Sequence, residues 1–208
     1  MSIVEQTVAG RSGYVVPLTV EQYHQMIAQG ILAEGDSIEL IDGILIRKDR
    51  GDKGGNAMSH GPRHGSTVVS LQEILAPLLS MGSHVRIQLP VTLANIQEPE
   101  PDVAVIRGKR QEFTKRHPGP ADIVALIEVA DSSLTFDRTT KQRLYSSAAI
   151  PVYWIVNLVD NQIEVYENPR SAEGSYARRT DYRAGQSVKL AMGPGAQVEV
   201  AVADVLPA

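Results

Sequence analysis

The segment that most restricts the fold is an apolar run with one acidic residue inside it. Residues 122 to 130 have the sequence DIVALIEVA, and Glu128 is the single charge between Ile123 and Ala130. A run of this kind, without polar alternation, is typical of a strand that is buried on both faces of a sheet. The sequence therefore predicts a central strand that carries a carboxylate.

Glu128 needs compensation at this position, because an unpaired buried charge destabilises a fold by several kcal/mol. Three kinds of compensation remain open: a bound divalent cation, an arginine or lysine partner, or exposure at the end of the strand. Because perturbed carboxylates concentrate at functional sites, Glu128 is also a candidate site residue.

The surrounding patterns predict an α/β (α+β) fold, with a mixed β-sheet flanked by helices and preceded by an N-terminal helix and a β-hairpin. Thr19 and Gln22 have the spacing of a capping box that begins a helix, and Asp42-Gly43 joins two apolar runs as a hairpin over residues 37–47. Helices are also expected at 64–80, shortened or kinked at Pro77, and at 137–148; strands are expected at 84–93, 101–106, 151–157 and 162–168.

The order of strand 122–130, helix 137–148 and strand 151–157 predicts a parallel crossover. With 208 residues, the chain is expected to form one domain over residues 18–208, after an N-terminal extension at 1–17. The core is expected at about 37–168, with a peripheral, β-rich tail at 171–208.

Several functional classes lose support from the sequence. The chain has no cysteine, which excludes disulfides, cysteine zinc fingers and thiol nucleophiles. No P-loop lysine follows the glycines at 51–55, and the serine-hydrolase elbow and the Rossmann fingerprint are missing, which disfavours ATPases, serine hydrolases and dehydrogenases. Without a membrane-length apolar segment or a signal-like start, we expect a cytoplasmic protein with no membrane partner.

Asp102 is the second candidate site residue, because it opens a strand that can lie beside the one with Glu128. Two carboxylates from adjacent strands, together with water and a backbone carbonyl, give the oxygen-rich shell that Mg²⁺ prefers. The alternative is that Pro101-Asp102 only forms a turn before the strand.

Lys141 lies on the helix that follows the central strand. Arg138, Lys141 and Tyr145 have helical spacings of three and four, so they could share one face. An ammonium group there could position a water nucleophile or stabilise charge on a phosphate. A solvated helix face is the alternative.

His64 and Glu39 are less specific candidates. His60 and His64 have a metal-ligand spacing, but Gly61-Pro62 between them disfavours a continuous helix, so His64 is interpreted as a helix-start residue near a cleft. Glu39 lies in the predicted hairpin, where strand alternation leaves a solvent-facing position open as the alternative.

The net charge of −4 disfavours a protein that is coated with nucleic acid, since phosphate binding depends on lysine and arginine. The segment 107–116 is an exception with five basic residues, namely Arg107, Lys109, Arg110, Lys115 and Arg116. A solvated loop is the other interpretation of this segment.

Taken in order, six motifs resemble the Uma-type family of bacterial restriction endonuclease-like proteins, which have the PD-(D/E)XK nuclease fold. The motifs are IELIDG (38–43), PRHG (62–65), PD (101–102), IEVADSS (127–133), K-x-x-x-Y (141–145) and IPVYWIV (150–156). Each is weak alone, but their order and spacing over residues 18–168 are specific.

The resemblance implies an Mg²⁺-dependent endonuclease that hydrolyses phosphodiester bonds of nucleic acid, with DNA as the expected substrate and Mn²⁺ as a substitute metal. It implies Asp102 and Glu128 as metal ligands, the Val129 carbonyl as a further ligand, and Glu39 as an additional acidic residue. The nuclease signature usually has a lysine two residues after the second acid, where this chain has Ala130; Lys141 is expected to replace it.

The resemblance also bears on partners. We expect the basic segment to guide the phosphate backbone, with His64 and Arg138 as further contacts, and a homodimer is expected because many nucleases cut two strands with two subunits. Two alternatives stay open: a non-catalytic nucleic-acid-binding or assembly module on the same fold, and a purely structural ion pair between Glu128 and Lys141.

Overall fold

The computed structural model describes residues 15–33, 36–48, 61–193 and 196–207. Its strands are β1 (Ile38–Ile41), β2 (Ile44–Arg47), β3 (Ser83–Ile87), β4 (Val103–Arg107), β5 (Ile123–Ala130), β6 (Val152–Asn157), β7 (Gln162–Arg170), β8 (Ser175–Arg183), β9 (Ser187–Gly193) and β10 (Ala196–Ala201). Its α-helices are α1 (Val20–Ala28), α2 (Pro62–Leu75), α3 (Leu134–Phe136), α4 (Gln142–Ser147) and α5 (Val202–Val205). A π-helical turn, Asp137–Lys141, joins α3 to α4, and 3-10 helices cover Ala76–Met81, Arg110–Phe113 and Pro120–Asp122.

The main sheet has six strands in the order β3-β4-β5-β6-β7-β8. The β5–β6 pair is parallel and the other four pairs are antiparallel, so the predicted mixed sheet and its crossover are confirmed. Every residue of β5 is buried, which agrees with the central position predicted from its apolar run.

Alternation along the strands gives the sheet two buried faces. One face packs against α2, the β9–β10 hairpin and α5, through residues such as Leu71, Ile127 and Val200. The other face, which carries Leu126 and Tyr153, packs against the β1–β2 hairpin and the α3–α4 region. Glu128 lies on this second face, two residues from Leu126.

The β1–β2 hairpin forms as predicted at Asp42-Gly43. Both residues have positive φ, at 52° and 72°, as a two-residue hairpin turn requires. A Cβ at Gly43 would lie 2.3 Å from the Pro17 Cβ, so glycine is also needed for space. A bridge between Leu40 and Glu98 joins the hairpin to the segment before β4.

The first two predicted helix starts differ in accuracy. The Thr19–Gln22 capping box is present at the start of α1, as predicted. The helix predicted at 64–80 begins instead at Pro62, and it changes to a 3-10 helix at Ala76, next to Pro77. Proline removes a helical hydrogen bond and its ring crowds the preceding turn, so the α-helix stops there.

The strand predicted at 84–93 is wrong in its second half. β3 ends at Ile87, and Gln88 has a positive φ of 48°. Pro90 follows two residues later and cannot donate to a strand ladder, so Val91 and Leu93 pack within an irregular segment.

The C-terminal tail is β-rich, and it is packed more deeply than the peripheral position that we expected. β8 forms an edge of the main sheet, while Val188, Leu190 and Val200 are almost fully buried in its core. Most of the predicted N-terminal extension, the glycine-rich stretch at 51–55 and His60 lie outside the described residues. Within the part of the chain that is described, no helix is long and apolar enough to cross a membrane.

Candidate active site

Asp102 and Glu128 meet on one face of the sheet. Antiparallel pairing sets Val103 of β4 opposite Ile127 of β5, so the next pair along the ladder places Asp102 opposite Glu128. The Asp102 backbone N–H donates to Glu128 Oε2 at 3.2 Å, and the Val129 N–H donates to Asp102 Oδ2 at 2.9 Å. Both carboxylates are 2% exposed, which makes this a buried acidic pair.

Glu128 is compensated by a lysine, one of the three possibilities that the sequence left open. Lys141 Nζ lies 3.1 Å from Glu128 Oε1, and the Tyr145 hydroxyl donates to the same oxygen at 2.6 Å. The alternative that Glu128 is exposed at the end of the strand is wrong, because its side chain is buried. One oxygen of Glu128 therefore faces the helix, and the other faces Asp102.

Lys141 joins Glu128 to Glu39. Its Nζ donates to Glu39 Oε2 at 2.6 Å, and the same oxygen accepts the Glu100 N–H at 3.0 Å. Glu39 is 2% exposed, so the solvent-facing alternative is wrong. Burial disfavours the charge on Lys141, but Glu128 and Glu39 outweigh it and raise the pKa of the ammonium well above its usual value. Lys141 is thus a fixed cation and not a base.

Lys48 is a site residue that sequence reasoning missed. Its Nζ lies 2.8 Å from Asp102 Oδ1 and 3.9 Å from Glu128 Oε2, and it also donates to the Glu100 carbonyl at 2.8 Å. Burial opposes its charge, yet Asp102 and Glu128 raise the pKa of Lys48 above its usual value. Because Lys48 follows β2 outside any recognisable motif, no sequence signal indicated its role.

His64 reaches the same cluster from the first turn of α2. Its Nε2 lies 3.1 Å from Asp102 Oδ2, which agrees with the expected position near a cleft. Burial opposes ionisation of Asp102, but Lys48 and His64 outweigh it and hold the pKa of this carboxyl well below its usual value. Asp102 is therefore an anion held between two nitrogen groups.

Asp137 is a second residue that sequence reasoning missed. It is buried at the start of the π-helical turn, where the Ser133 hydroxyl donates to its Oδ2 at 2.6 Å. Burial, reinforced by the nearby charge of Glu128, raises the pKa of Asp137 to about 8. This carboxyl is thus mainly protonated at neutral pH, unlike Asp102.

These side chains border a cavity of about 280 Å³. Its lining combines acidic residues with basic ones, namely Glu39, Asp102, Glu128, Asp131 and Asp137 with Arg47, Lys48, His64 and Lys141. The cavity is therefore polar and contains charges of both signs.

Arg138 does not point into this cavity, so the expectation that it shares a face with Lys141 is wrong. Its guanidinium contacts Glu164 Oε1 at 2.5 Å and Asp160 Oδ2 at 3.2 Å. The π-helical turn is wider than an α-helical one, so residues three apart diverge around it. Tyr145 does stay near Lys141, with 3.5 Å between the hydroxyl and Nζ.

The basic segment also lies away from the cavity. It follows β4, whose opposite end carries Asp102, and five residues of strand span about 17 Å. Arg107 donates to the carbonyls of Ala121 and Ile123, and Arg116 pairs with Asp122 at 2.6 Å. These contacts hold the segment against the start of β5, so it does not line the carboxylate cavity.

A comparison with known families decides the classification. The family model Uma2, described as "putative restriction endonuclease", matches residues 20–203. The chain belongs to the Uma2 family. No curated protein matches the sequence.

A solved structure shares the fold of this Uma2 protein. It is the crystal structure of a "putative nuclease belonging to DUF820" from Anabaena variabilis, with a TM-score of 0.64 and 12% sequence identity. The similarity covers 91% of this chain and 97% of the other. Membership of the Uma2 family supports nuclease function for this protein, and the solved structure shows a shared fold.

Proposed function

We propose that the cavity around Asp102 and Glu128 is the active site of an Mg²⁺-dependent endonuclease that acts on DNA. One observation carries the proposal. The buried carboxylates of Asp102 and Glu128, from adjacent strands, both face the ammonium of Lys48, and the buried ammonium of Lys141 contacts Glu128 from the helix side. Metal-dependent phosphodiester hydrolysis uses this combination of metal ligands and fixed positive charge.

The residues fit a divalent cation. Asp102 Oδ1 and Glu128 Oε2 both face the ammonium of Lys48, at 2.8 and 3.9 Å, so the two oxygens already share one cation. Asp102 and Glu128 would hold Mg²⁺, with the Val129 carbonyl as a further oxygen ligand. A bound Mg²⁺ would supply Lewis-acid stabilisation of the scissile phosphate.

The protein's own groups have distinct tasks in this proposal. Lys141, held as a cation by Glu39 and Glu128, orients Glu128 and stabilises negative charge that develops on the phosphate. Tyr145 holds the same carboxylate from the helix side. His64, at the start of α2, would contact the substrate phosphate.

Basic residues around the cavity support nucleic-acid binding by a protein with a net charge of −4. Arg47, Lys48 and His64 line the cavity beside the acidic pair. They can attract a phosphate where the basic segment, at the other end of β4, cannot. That segment and Arg138 remain proposed contacts only for more distant parts of a bound duplex.

Cleavage assays with isosteric variants test the proposal. We expect the untagged protein to cut duplex DNA in Mg²⁺ or Mn²⁺, and we expect Asp102→Asn and Glu128→Gln each to lower the rate by about 100-fold or more. The matched control is Glu199→Gln, which changes an exposed carboxylate on β10. Thermal unfolding of each variant shows whether the fold is retained.

Two results would contradict the proposal. One is equal cleavage by wild type and Glu128→Gln, and the other is failure of Mn²⁺ to bind, by calorimetry, with and without a short duplex present. Parallel substrates of single-stranded DNA and RNA test the choice of duplex DNA. Light scattering on the same preparation tests the expected homodimer.

A second candidate function is a non-catalytic nucleic-acid-binding or assembly module. Lys48 favours it, because its ammonium already neutralises Asp102 and leaves the cluster compensated without a metal. This function predicts DNA binding that does not depend on divalent metal and that survives in the Asp102→Asn, Glu128→Gln double variant.

A further inference from the structure

A second group of potential metal ligands lies on the other side of the β1–β2 hairpin. His24 of α1, Glu98 and His117 each offer a ligand atom, and the three atoms lie within 4.8 Å of one another. His24 Nε2 is 2.5 Å from Glu98 Oε1, and the rings of His24 and His117 meet edge to face, with centroids 5.8 Å apart. Three distant parts of the chain therefore converge on one point.

Glu98 is the unusual member of this group, since its side chain is 1% exposed. Its backbone is fixed by two hydrogen bonds with Leu40, and its Oε2 accepts the Thr92 hydroxyl at 2.5 Å. The other oxygen, Oε1, faces His24. A carboxylate that is held by a hydroxyl on one oxygen and faces imidazole with the other has the arrangement of a supported metal ligand.

The three residues also border a cavity that is large enough for solvent. They line a cavity of about 670 Å³ together with Tyr23, Leu89 and other residues. Two imidazoles and one carboxylate form one of the ligand sets of catalytic zinc sites, which keep a fourth position for water. Magnesium instead prefers ligands that are all oxygen, so this group and the carboxylate cavity suit different metals.

We propose that His24, Glu98 and His117 form a transition-metal site that binds Zn²⁺ with one open coordination position, separate from the carboxylate cavity. Glu98 and Asp102 are four residues apart, so at most about 14 Å of chain connects the two sites. A metal bound here would connect α1 and the loop that contains His117 to the segment between Glu98 and Asp102.

The site is tested with Zn²⁺ and with Co²⁺, whose visible absorption reports nitrogen ligation and coordination number. The protein is used untagged, because a histidine tag would bind both ions. We expect one nitrogen-ligated equivalent to bind to wild type and to the Asp102→Asn, Glu128→Gln double variant. His24→Gln and His117→Gln should each weaken binding at least about tenfold and remove the Co²⁺ spectrum.

His24→Gln is the more informative variant, because this side chain is 46% exposed and its replacement should not disturb folding. Zn²⁺ should raise the midpoint of thermal unfolding for wild type and not for His24→Gln. The proposal is overturned if neither ion binds, if His24→Gln and His117→Gln bind both ions as wild type does, or if binding disappears only in the carboxylate double variant. The last result would locate the ion at the proposed nuclease site, so failures of the two proposals are distinguishable.

Discussion

Replacing Lys141 with methionine removes the ammonium that lies between two buried carboxylates. In the metal-free protein, the anions of Glu39, Asp102 and Glu128 are opposed by the cations of Lys48 and Lys141. Methionine has a similar length and no charge, so packing changes little. Glu39 and Glu128 then lose their shared charged partner, at 2.6 and 3.1 Å.

The size of the expected loss of stability depends on the hydrogen bonds that Glu39 and Glu128 keep in Lys141→Met. Removing one partner of a buried ion pair destabilises a protein by about 3–5 kcal/mol. Glu128 would keep the Tyr145 hydroxyl and Glu39 would keep the Glu100 N–H, so we expect the lower half of that range. Urea unfolding in the presence of a chelator measures the change.

A double variant identifies the cause of this loss. Glu39→Gln in the Lys141→Met background removes one stranded charge, and it should recover a large part of the lost stability. If Lys141→Met unfolds within about 0.5 kcal/mol of wild type, the reasoning from burial and charge is refuted. Excess Mn²⁺ should stabilise Lys141→Met more than wild type, because a cation at Asp102 and Glu128 replaces part of the missing charge.

The same variant separates a catalytic role from a structural one. If Lys141 stabilises charge on the phosphate, cleavage by the folded variant should fall about 100- to 1,000-fold. A destabilised variant that still cleaves at the wild-type rate would identify the Lys141–Glu128 contact as a structural ion pair only.

Three further variants test the charges around the site. Lys48→Met should strengthen Mn²⁺ binding about tenfold, because the ammonium beside Asp102 no longer competes; calorimetry that shows unchanged or weaker binding would contradict this. The pKa of Asp137 is raised from 3.8 to about 8, so the stability that this carboxyl contributes is lost as pH rises between those values. Asp137→Asn should therefore become progressively more stable to heat than wild type from about pH 4 to pH 9. A difference that stays constant with pH would be evidence of another cause. Arg138→Gln should lower stability by about 2–4 kcal/mol, because it removes a cation from buried Glu164. Burial opposes the ionisation of Glu164, but Arg138 and other partners outweigh it and lower the pKa of Glu164 from 4.5 to about 2. The loss of stability in Arg138→Gln should therefore shrink as pH falls toward 2, as measured by acid titrations of unfolding.

Local patterns predicted the parts of the fold that local chemistry decides. Asp42-Gly43 predicted the hairpin, because few other dipeptides adopt two successive positive φ angles. The apolar run around Glu128 predicted a central strand, because a strand that is buried on both faces needs apolar residues at almost every position. The pairing of Asp102 with Glu128 was predictable only as a hypothesis, since it depends on which strands become neighbours.

The partners of the two carboxylates depend on tertiary packing, and the sequence could not specify them all. Lys48 is more than 50 residues from Asp102, and it reaches the site only because the hairpin lies over the second face of the sheet. A lysine after a strand has no distinctive spacing. The position of the basic segment was also not predictable: its charges are adjacent in sequence, but they follow β4, whose length separates them from Asp102 at its start.

The proposal that Lys141 takes the place of the signature lysine has a physical reason in the packing of this chain. Ala130, which stands where the signature has its lysine, is fully buried with Leu134 and Tyr153 packed in the same cluster, so a long charged side chain has no room there. The α3–α4 region instead lies close over β5, and its π-helical turn directs Lys141 toward Glu128. The same turn directs Arg138 away, toward β7, where it neutralises Glu164. One irregular helical turn thus supplies cations to two buried carboxylates on neighbouring parts of the sheet, and π-helical turns of this kind occur often at functional sites.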